Sequence, residues 1–378
     1  MKRLFIGNYD FEHQLSAAGR WEPPVSIRRL NEELACVWIA IAGDGDFIRT
    51  PALVEATFFE EMAAVGLPDV RPVTNKREIT EPVEVVPWGW TEEIRHRADQ
   101  QGWNYSAPPQ TVVTEANSRR FSFQCEQEWN IGLEEAAVID SVETLAEAIR
   151  RLPRGDDRWV VKAEFSMSAR ERVLGQGREL PEQTLHWAQK RIERDGVVFF
   201  EPWIDCISEA GLQFTIPKTG DLVFEGVTPL LTGERGEYRG NRFSVHDDIE
   251  SIWSSCIETA HQIAQKLQAK GYFGPLGIDA VQYRDRDGEL HVRPLQDINA
   301  RYTMGRLALG FRRLLQPGET GSWLHYRQPD TSIEELKEWF ADIQQRLPAR
   351  TKVIRTSPWE VNGKPVRHGT VVLICSSQ

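Results

Sequence analysis

The chain has 378 residues, with 45 Lys plus Arg against 56 Asp plus Glu, a net charge of -11, and 40% hydrophobic residues. That length predicts two or three domains at roughly 150 residues each, and the acidic balance argues against a general binder of nucleic-acid backbones, which relies on basic surface. No apolar run approaches the ~20 residues of a membrane span, and the apolar stretch after Met1-Lys2-Arg3 is too short for a signal peptide.

In chain order, residues 4–6 read as a short strand, and the apolar run 35–42 as a fuller strand buried on both faces. A turn at residues 43–46 and a helix over 51–65, with Pro51 at its first turn, complete a strand-turn-helix pattern that predicts a small parallel-sheet α/β domain. Past Pro108-Pro109 the texture changes. Residues 140–149 predict a helix capped at Asp140. Residues 158–162 and 196–200 predict strands, and 213–216 with 222–224 a hairpin. Residues 249–269 carry apolar side chains at helical spacing. Residues 277–283 and 290–299 flank Asp287-Gly288 as a second hairpin, and the tail predicts a helix over 333–347 and strands at 352–355 and 370–375. The cysteines Cys36, Cys125, Cys206, Cys256 and Cys375 are scattered, odd in number and form no CxxC, which predicts reduced thiols in a cytoplasmic chain.

The second hairpin carries the most informative chemistry. Asp279 and Asp297 lie at similar distances from its turn, and Asn299, two residues on, shares a face with Asp297. Two carboxylates and an amide oxygen make a hard-oxygen site suited to Mg²⁺ bridging nucleotide phosphates. Lys162 ends an apolar strand in a chain with only ten lysines, where its ammonium can neutralise a phosphate. Residues 199–205 run from an apolar strand into Glu201-Pro202-Trp203-Ile204, a hinge whose backbone and carboxylate suit an adenine ring, with Glu209 placed for a ribose. Arg239, Asn241 and Arg242 read equally as a surface loop or as reaching a substrate carboxylate. The residues Pro87-Trp-Gly-Trp90 read as packing between lobes or as a pocket lining. No HExxH, HxxxH or GxSxG is present, against a zinc protease or a serine hydrolase elbow.

In this order, these pieces resemble the ATP-grasp superfamily of carboxylate–amine ligases over residues 117–305. The matching runs are Asn117-Ser-Arg-Arg-Phe121, Gly274-Pro-Leu-Gly-Ile-Asp279 and Asp297-Ile-Asn-Ala-Arg-Tyr-Thr-Met-Gly305. The last is similar to the Glu-Ile-Asn-Ala-Arg-Tyr-Thr-Met-Gly run of a bacterial branch containing peptide and amino-acid ligases. The resemblance implies an α/β chain: an N-terminal α/β domain over 1–112, an ATP-grasp domain of two α+β lobes enclosing the nucleotide over 113–316, and a C-terminal extension over 317–378.

It further implies ATP and Mg²⁺. Arg119 and Lys162 would meet the phosphates, Glu201, Trp203 and Ile204 the adenine, and Glu209 the ribose. Asp279, Asp297 and Asn299 would hold the metal, and Arg301 would face the reacting phosphoryl group. The implied activity is ADP-forming ligation of a small carboxylate, such as an amino acid or peptide, to an amine. The alternative is a degenerate member that binds nucleotide and regulates or scaffolds a partner. Implied partners are small molecules, with no nucleic acid or membrane, and the superfamily allows a homodimer. Three features depart from the pattern: Arg119 replaces lysine, Asp297 replaces glutamate, and the loop after Lys162, expected as a lid over residues 165–177, lacks early glycines.

Overall fold

The computed structural model describes residues 1–17, 21–165, 171–233, 236–245, 248–327 and 331–376. Strands β1 (Lys2–Ile6), β2 (Phe47–Arg49), β3 (Arg71–Val73) and β4 (Val83–Pro87) pair in parallel in the order β3-β2-β1-β4. Leu4, Phe5 and Ile6 are buried in the central strand, as a strand covered on both faces requires.

The run 35–42, expected as a strand, is instead a 3-10 helix over Ala35–Ala40, with every residue buried. Its Trp38 lies 5.0 Å from Phe5 and meets Trp88 and Tyr302 edge-on. A segment that is apolar on all sides has no periodicity to separate buried helix from buried strand. The helix expected over 51–65 shortens to Phe58–Ala64, and the one expected to be capped by Asp140 begins at Val142, its cap the Ser141 hydroxyl accepting from the Thr144 N–H.

A small lobe follows, built on β5 (Ala137–Ile139), β6 (Arg158–Lys162), β7 (Arg172–Gln176) and β8 (Val198–Pro202), antiparallel in the order β5-β8-β6-β7. Helices Val142–Arg150 and Glu182–Asp195 close its separate core of Leu145, Ile149, Trp159, Val161, Ala188 and Phe200. Part of the stretch expected as a lid loop is strand β7, and its residues 166–170 lie outside the described residues.

The largest element is an eight-stranded antiparallel sheet. Its members are β9 (Asp205–Ile216), β10 (Val223–Thr232), β11 (Tyr238–Ser244), β12 (Gly274–Arg284), β13 (Leu290–Asn299), β14 (Glu319–Arg327), β15 (Lys352–Arg355) and, after the two-stranded pair β16 (Glu360–Val361) and β17 (Lys364–Pro365), β18 (His368–Ser376). The order β13-β12-β9-β10-β11-β14-β18-β15 makes the C-terminal strands a continuation of the sheet that carries Asp279 and Asp297. Residues 239–242, read as a loop, lie in β11. The long helix divides at Trp253 into Asp248–Ile252 and Ser254–Ala269, the second burying Cys256, Ala260, Ile263, Ala264 and Leu267. All five cysteines are free thiols, and among the described residues no helix is long and apolar enough to cross a membrane.

Candidate active site

The β12–β13 hairpin pairs Asp279 directly with Asp297 and Gly277 with Asn299, so the three polar side chains share one face. Asn299 Nδ2 donates to Asp279 Oδ2 at 3.1 Å. Two glycines let this corner close up: a Cβ on Gly277 would lie 2.5 Å from Thr303 Cγ2, and one on Gly305 would lie 2.3 Å from Thr228 Oγ1. Thr303 then caps the helix Met304–Gly310 and donates to Gln213 Oε1 at 2.7 Å. Burial, followed by the charges of Asp297 and Glu209, pushes the Asp279 carboxyl up to about 7, against the pull of Arg301 and Asn299. Two carboxylates and an amide are donor types that suit a hard divalent cation, although Asp297 is paired with Arg119 and the Asn299 amide oxygen accepts from Arg301. Among the described residues no group of three or more His, Cys, Asp or Glu gathers.

Further along β13 lies a cluster whose charges close on themselves. Lys162 Nζ donates to Glu201 Oε2 at 2.5 Å. Arg293, from β13, donates to Glu201 at 3.0 and 3.3 Å and bidentately to Glu126 at 2.7 and 3.0 Å. Burial alone would raise the Glu201 carboxyl, but Arg293 and Lys162 overrule it and hold the group well below the usual range. Burial lowers the Lys162 ammonium, with Glu201 opposing, and raises Glu126 against Arg293. Arg293 and Glu126 were not foreseen as site residues. The available signal was an arginine inside the apolar β13 pattern.

The helix Arg119–Trp129 brings in the next groups. Its cap, Ser118, accepts from the Arg120 N–H and donates to Glu164 at 2.6 Å, tying the helix to the exit of β6. Arg119 Nη2 donates to Asp297 Oδ2 at 3.2 Å. Asn117 accepts from the Ala300 N–H at 2.9 Å, which joins the two sequence runs 183 residues apart. Arg301 donates to Asn299 Oδ1 at 2.8 Å and to the Tyr302 carbonyl, lies 5.3 Å from the Trp88 ring, and pairs with Glu12 of the N-terminal domain at 2.5 Å. Glu12, buried and remote in sequence, was also missed.

At the hinge, the Trp203 N–H donates to the Arg158 carbonyl at 2.9 Å, and the Trp203 ring is flanked by Arg158 and Arg172. Because the Glu201 carboxylate is taken by Lys162 and Arg293, it anchors the hinge to β13 rather than pointing free into the cleft. Glu209 accepts from the Cys206 thiol at 3.6 Å, and burial raises its carboxyl. Gly175 is fixed in β7 beneath Trp159, where a Cβ would fall 2.1 Å from the ring, so the chain there is held as a packed strand. Arg119, Lys162, Glu201, Trp203, Ile204, Glu209, Asp279, Asp297, Asn299 and Arg301 all line one cavity of about 1420 Å³ between the small lobe, the large sheet and the N-terminal domain.

Comparison with solved structures supplies the name of this arrangement. The chain is similar over 100% of its length, and 94% of the other's, to N5-carboxyaminoimidazole synthetase from Staphylococcus aureus complexed with ADP (TM-score 0.56, 10% identity). It is likewise similar over 100% of its length, and 86% of the other's, to the biotin carboxylase domain dimer of Hydrogenobacter thermophilus 2-oxoglutarate carboxylase, solved with MgADP, ADP and bicarbonate (TM-score 0.57, 10% identity). The fold is ATP-grasp. A third ATP-grasp structure, N5-carboxyaminoimidazole ribonucleotide synthetase from Thermus thermophilus, covers 98% of this chain and 93% of its own at TM-score 0.51 and 13% identity. No family model matches the sequence. No curated protein matches it either.

Proposed function

We propose that this chain is an ADP-forming ligase that joins a small carboxylate, an amino acid or peptide, to an amine through an acyl phosphate. The observation that carries the reading is the convergence of Lys162, Arg119, Arg301 and the Asp279–Asp297–Asn299 group on one cavity between lobes. The ATP-grasp fold, and neighbours whose names record ADP, MgADP and bicarbonate, support it. The bacterial peptide and amino-acid ligase branch is proposed on the 297–305 run.

A carboxylate resists attack by an amine because its charge repels nucleophiles and oxide is a very poor leaving group. Transfer of the γ-phosphoryl group of ATP to a carboxylate oxygen gives an acyl phosphate, whose phosphate can leave. Asp279, Asp297 and Asn299 would hold Mg²⁺, which supplies charge neutralisation at the phosphates when bound. Lys162 and Arg119 meet the nucleotide phosphates, and Arg301 the oxygens of the transferring group, where charge develops. Pro202, Trp203 and Ile204 offer adenine a fixed backbone edge, and Glu209 a ribose acceptor. Closure of the small lobe would exclude water, which otherwise hydrolyses the acyl phosphate. The amine then attacks the acyl carbon, its nitrogen loses a proton, and amide, ADP and phosphate result.

The Arg119–Asp297 ion pair favours a second reading, a nucleotide-binding member without ligation, because it already engages one proposed metal ligand. Incubation with Mg·ATP and pooled amino acids separates the two. Acid-dependent phosphate release and a hydroxamate on addition of hydroxylamine are expected of the ligase. Nucleotide binding with no release across a broad acid panel would overturn that reading and leave the second.

A further inference from the structure

The cavity runs along the large sheet far from the proposed metal group. From β12, which carries Asp279, the sheet order passes β9, β10 and β11 before reaching β14. Those four steps span roughly 19 Å at the usual strand spacing. At that far end His325 and Arg327 alternate along β14 on one face, and Arg327 pairs across to His368 on β18. His325, Arg327, His368 and Arg239 all line the same cavity as the proposed metal group.

His325 is the unusual member. Its ring sits 4.4 Å from Trp323 and 5.0 Å from Tyr238, and its Nε2 is shielded from solvent without a hydrogen-bond partner. A buried nitrogen left this way costs stability, and a ligand atom would supply the missing partner. Burial, then His368, pushes the imidazole down to about 3, so at neutral pH it is uncharged and able to donate one hydrogen bond. The nearby carboxylates are already engaged: Glu33 accepts from His368 Nδ1 and from the backbone N–H groups of Arg367 and His368, and Glu237 accepts from Arg239. What remains is the Arg327 guanidinium beside a donor without an acceptor.

We propose that the β14–β18 end of the cavity is an anion subsite in which His325 and Arg327 bind a carboxylate or phosphate remote from the reacting carboxyl. One of the two substrates is then elongated and carries an anionic group at its far end. Calling that ligand a substrate rests on the ligase reading; the anion subsite itself does not.

The test is calorimetric titration of the full chain, without nucleotide, with inorganic phosphate in one arm and glutarate in the other. The expected result is saturable binding of at least one probe, weakened about tenfold or more by Arg327→Gln and by His325→Phe, the scale of one charge-assisted hydrogen bond. Repeating the titration with ADP at saturation, which occupies the proposed nucleotide site, should leave it unchanged. The tighter arm identifies the group as phosphate or carboxylate. His325→Phe should melt no lower than the parent, since its Nε2 has no bond to lose, and both far-end variants should bind ADP as the parent does. Absence of saturable binding, parent-like affinity in both far-end variants, or loss of binding when ADP saturates the chain would overturn the subsite. Failure of the parent to bind ADP while phosphate binding persists would instead remove the ligase reading and leave the subsite standing.

Discussion

Two charged clusters line the cavity, both with members on β13, and they are built on opposite principles. In the Lys162–Glu201–Arg293–Glu126 group every carboxylate has a cationic partner at hydrogen-bond distance, and Arg293 is 2% exposed. In the Asp279–Asp297–Asn299 group Arg119 pairs with Asp297, but among the described residues Asp279 accepts only from the neutral Asn299 amide, and its carboxyl is pushed up to about 7. The first cluster closes every carboxylate in a direct ion pair; the second leaves Asp279 without one. The closed group therefore bears on folding and lobe placement, and the open one on what enters the cleft.

Arg293→Ala would break this contrast most forcefully. It leaves Glu126 and Glu201 buried with their guanidinium gone, and removing one partner of a buried pair costs about 3–5 kcal/mol. Chemical denaturation should show that loss; a change within experimental error would mean the network does not hold β8 and the helix Arg119–Trp129 against β13. Asp279→Asn tests the other side. Turnover with Mg·ATP should fall on the order of 10²–10³-fold, while the melting temperature is not reduced, because a carboxyl crowded by like charge has been neutralised. Unchanged turnover would place the metal elsewhere.

Glu12→Gln lies between these cases. Glu12 pairs with Arg301, and Arg301 in turn touches Asn299, so Glu12 acts through another residue and is a positioning group. The expected outcome is about a tenfold fall in kcat, equivalent to about 1.4 kcal/mol, with ADP affinity unchanged. An equal loss in ADP affinity would mean that Glu12 supports the fold of the cleft rather than the aim of Arg301.

The same contrast explains what was legible in the sequence. Asp279, Asp297 and Asn299 were readable because a hairpin turn fixes their register locally, and the structure pairs Asp279 with Asp297. Arg293 was not, because its partners Glu126 and Glu201 lie 167 and 92 residues away and only tertiary packing unites them. Strands at 352–355 and 370–375 could be foreseen from β-rich runs, yet nothing local indicates that they extend the sheet carrying Asp279 and Asp297. The run 35–42 failed for the opposite reason: a wholly buried segment has no polar face to betray its period.

Glu33 carries an effect about as small as that of Glu12 and the one most specific in sign. It resembles the closed cluster, but at the far end of the cavity: its carboxylate, 2% exposed, accepts from Arg29 Nε at 2.6 Å, from the Arg367 and His368 N–H groups at 2.9 and 3.0 Å, and from His368 Nδ1 at 3.0 Å. Burial would raise its pKa, but these donors prevail and lower it from the ordinary 4.5. The folded carboxyl thus releases its proton more readily than the unfolded one. Its stabilisation is complete above the unfolded value and is lost as pH falls through the folded value. Other depressed acids, among them Asp46 and Glu201, titrate in the same direction, so the parent's pH slope alone does not isolate Glu33. The difference between parent and Glu33→Gln does. At neutral pH the variant should be less stable by about 1.5 kcal/mol, the scale of a hydrogen bond to a charged group. The two denaturation free energies should converge as pH drops below 4.5, because the parent loses the charge that the variant never had. A gap that stays constant into the acid range would mean that the Glu33 charge does not clamp the helix Val25–Glu33 to β18, and that His368 is held at the far end of the cavity by packing alone.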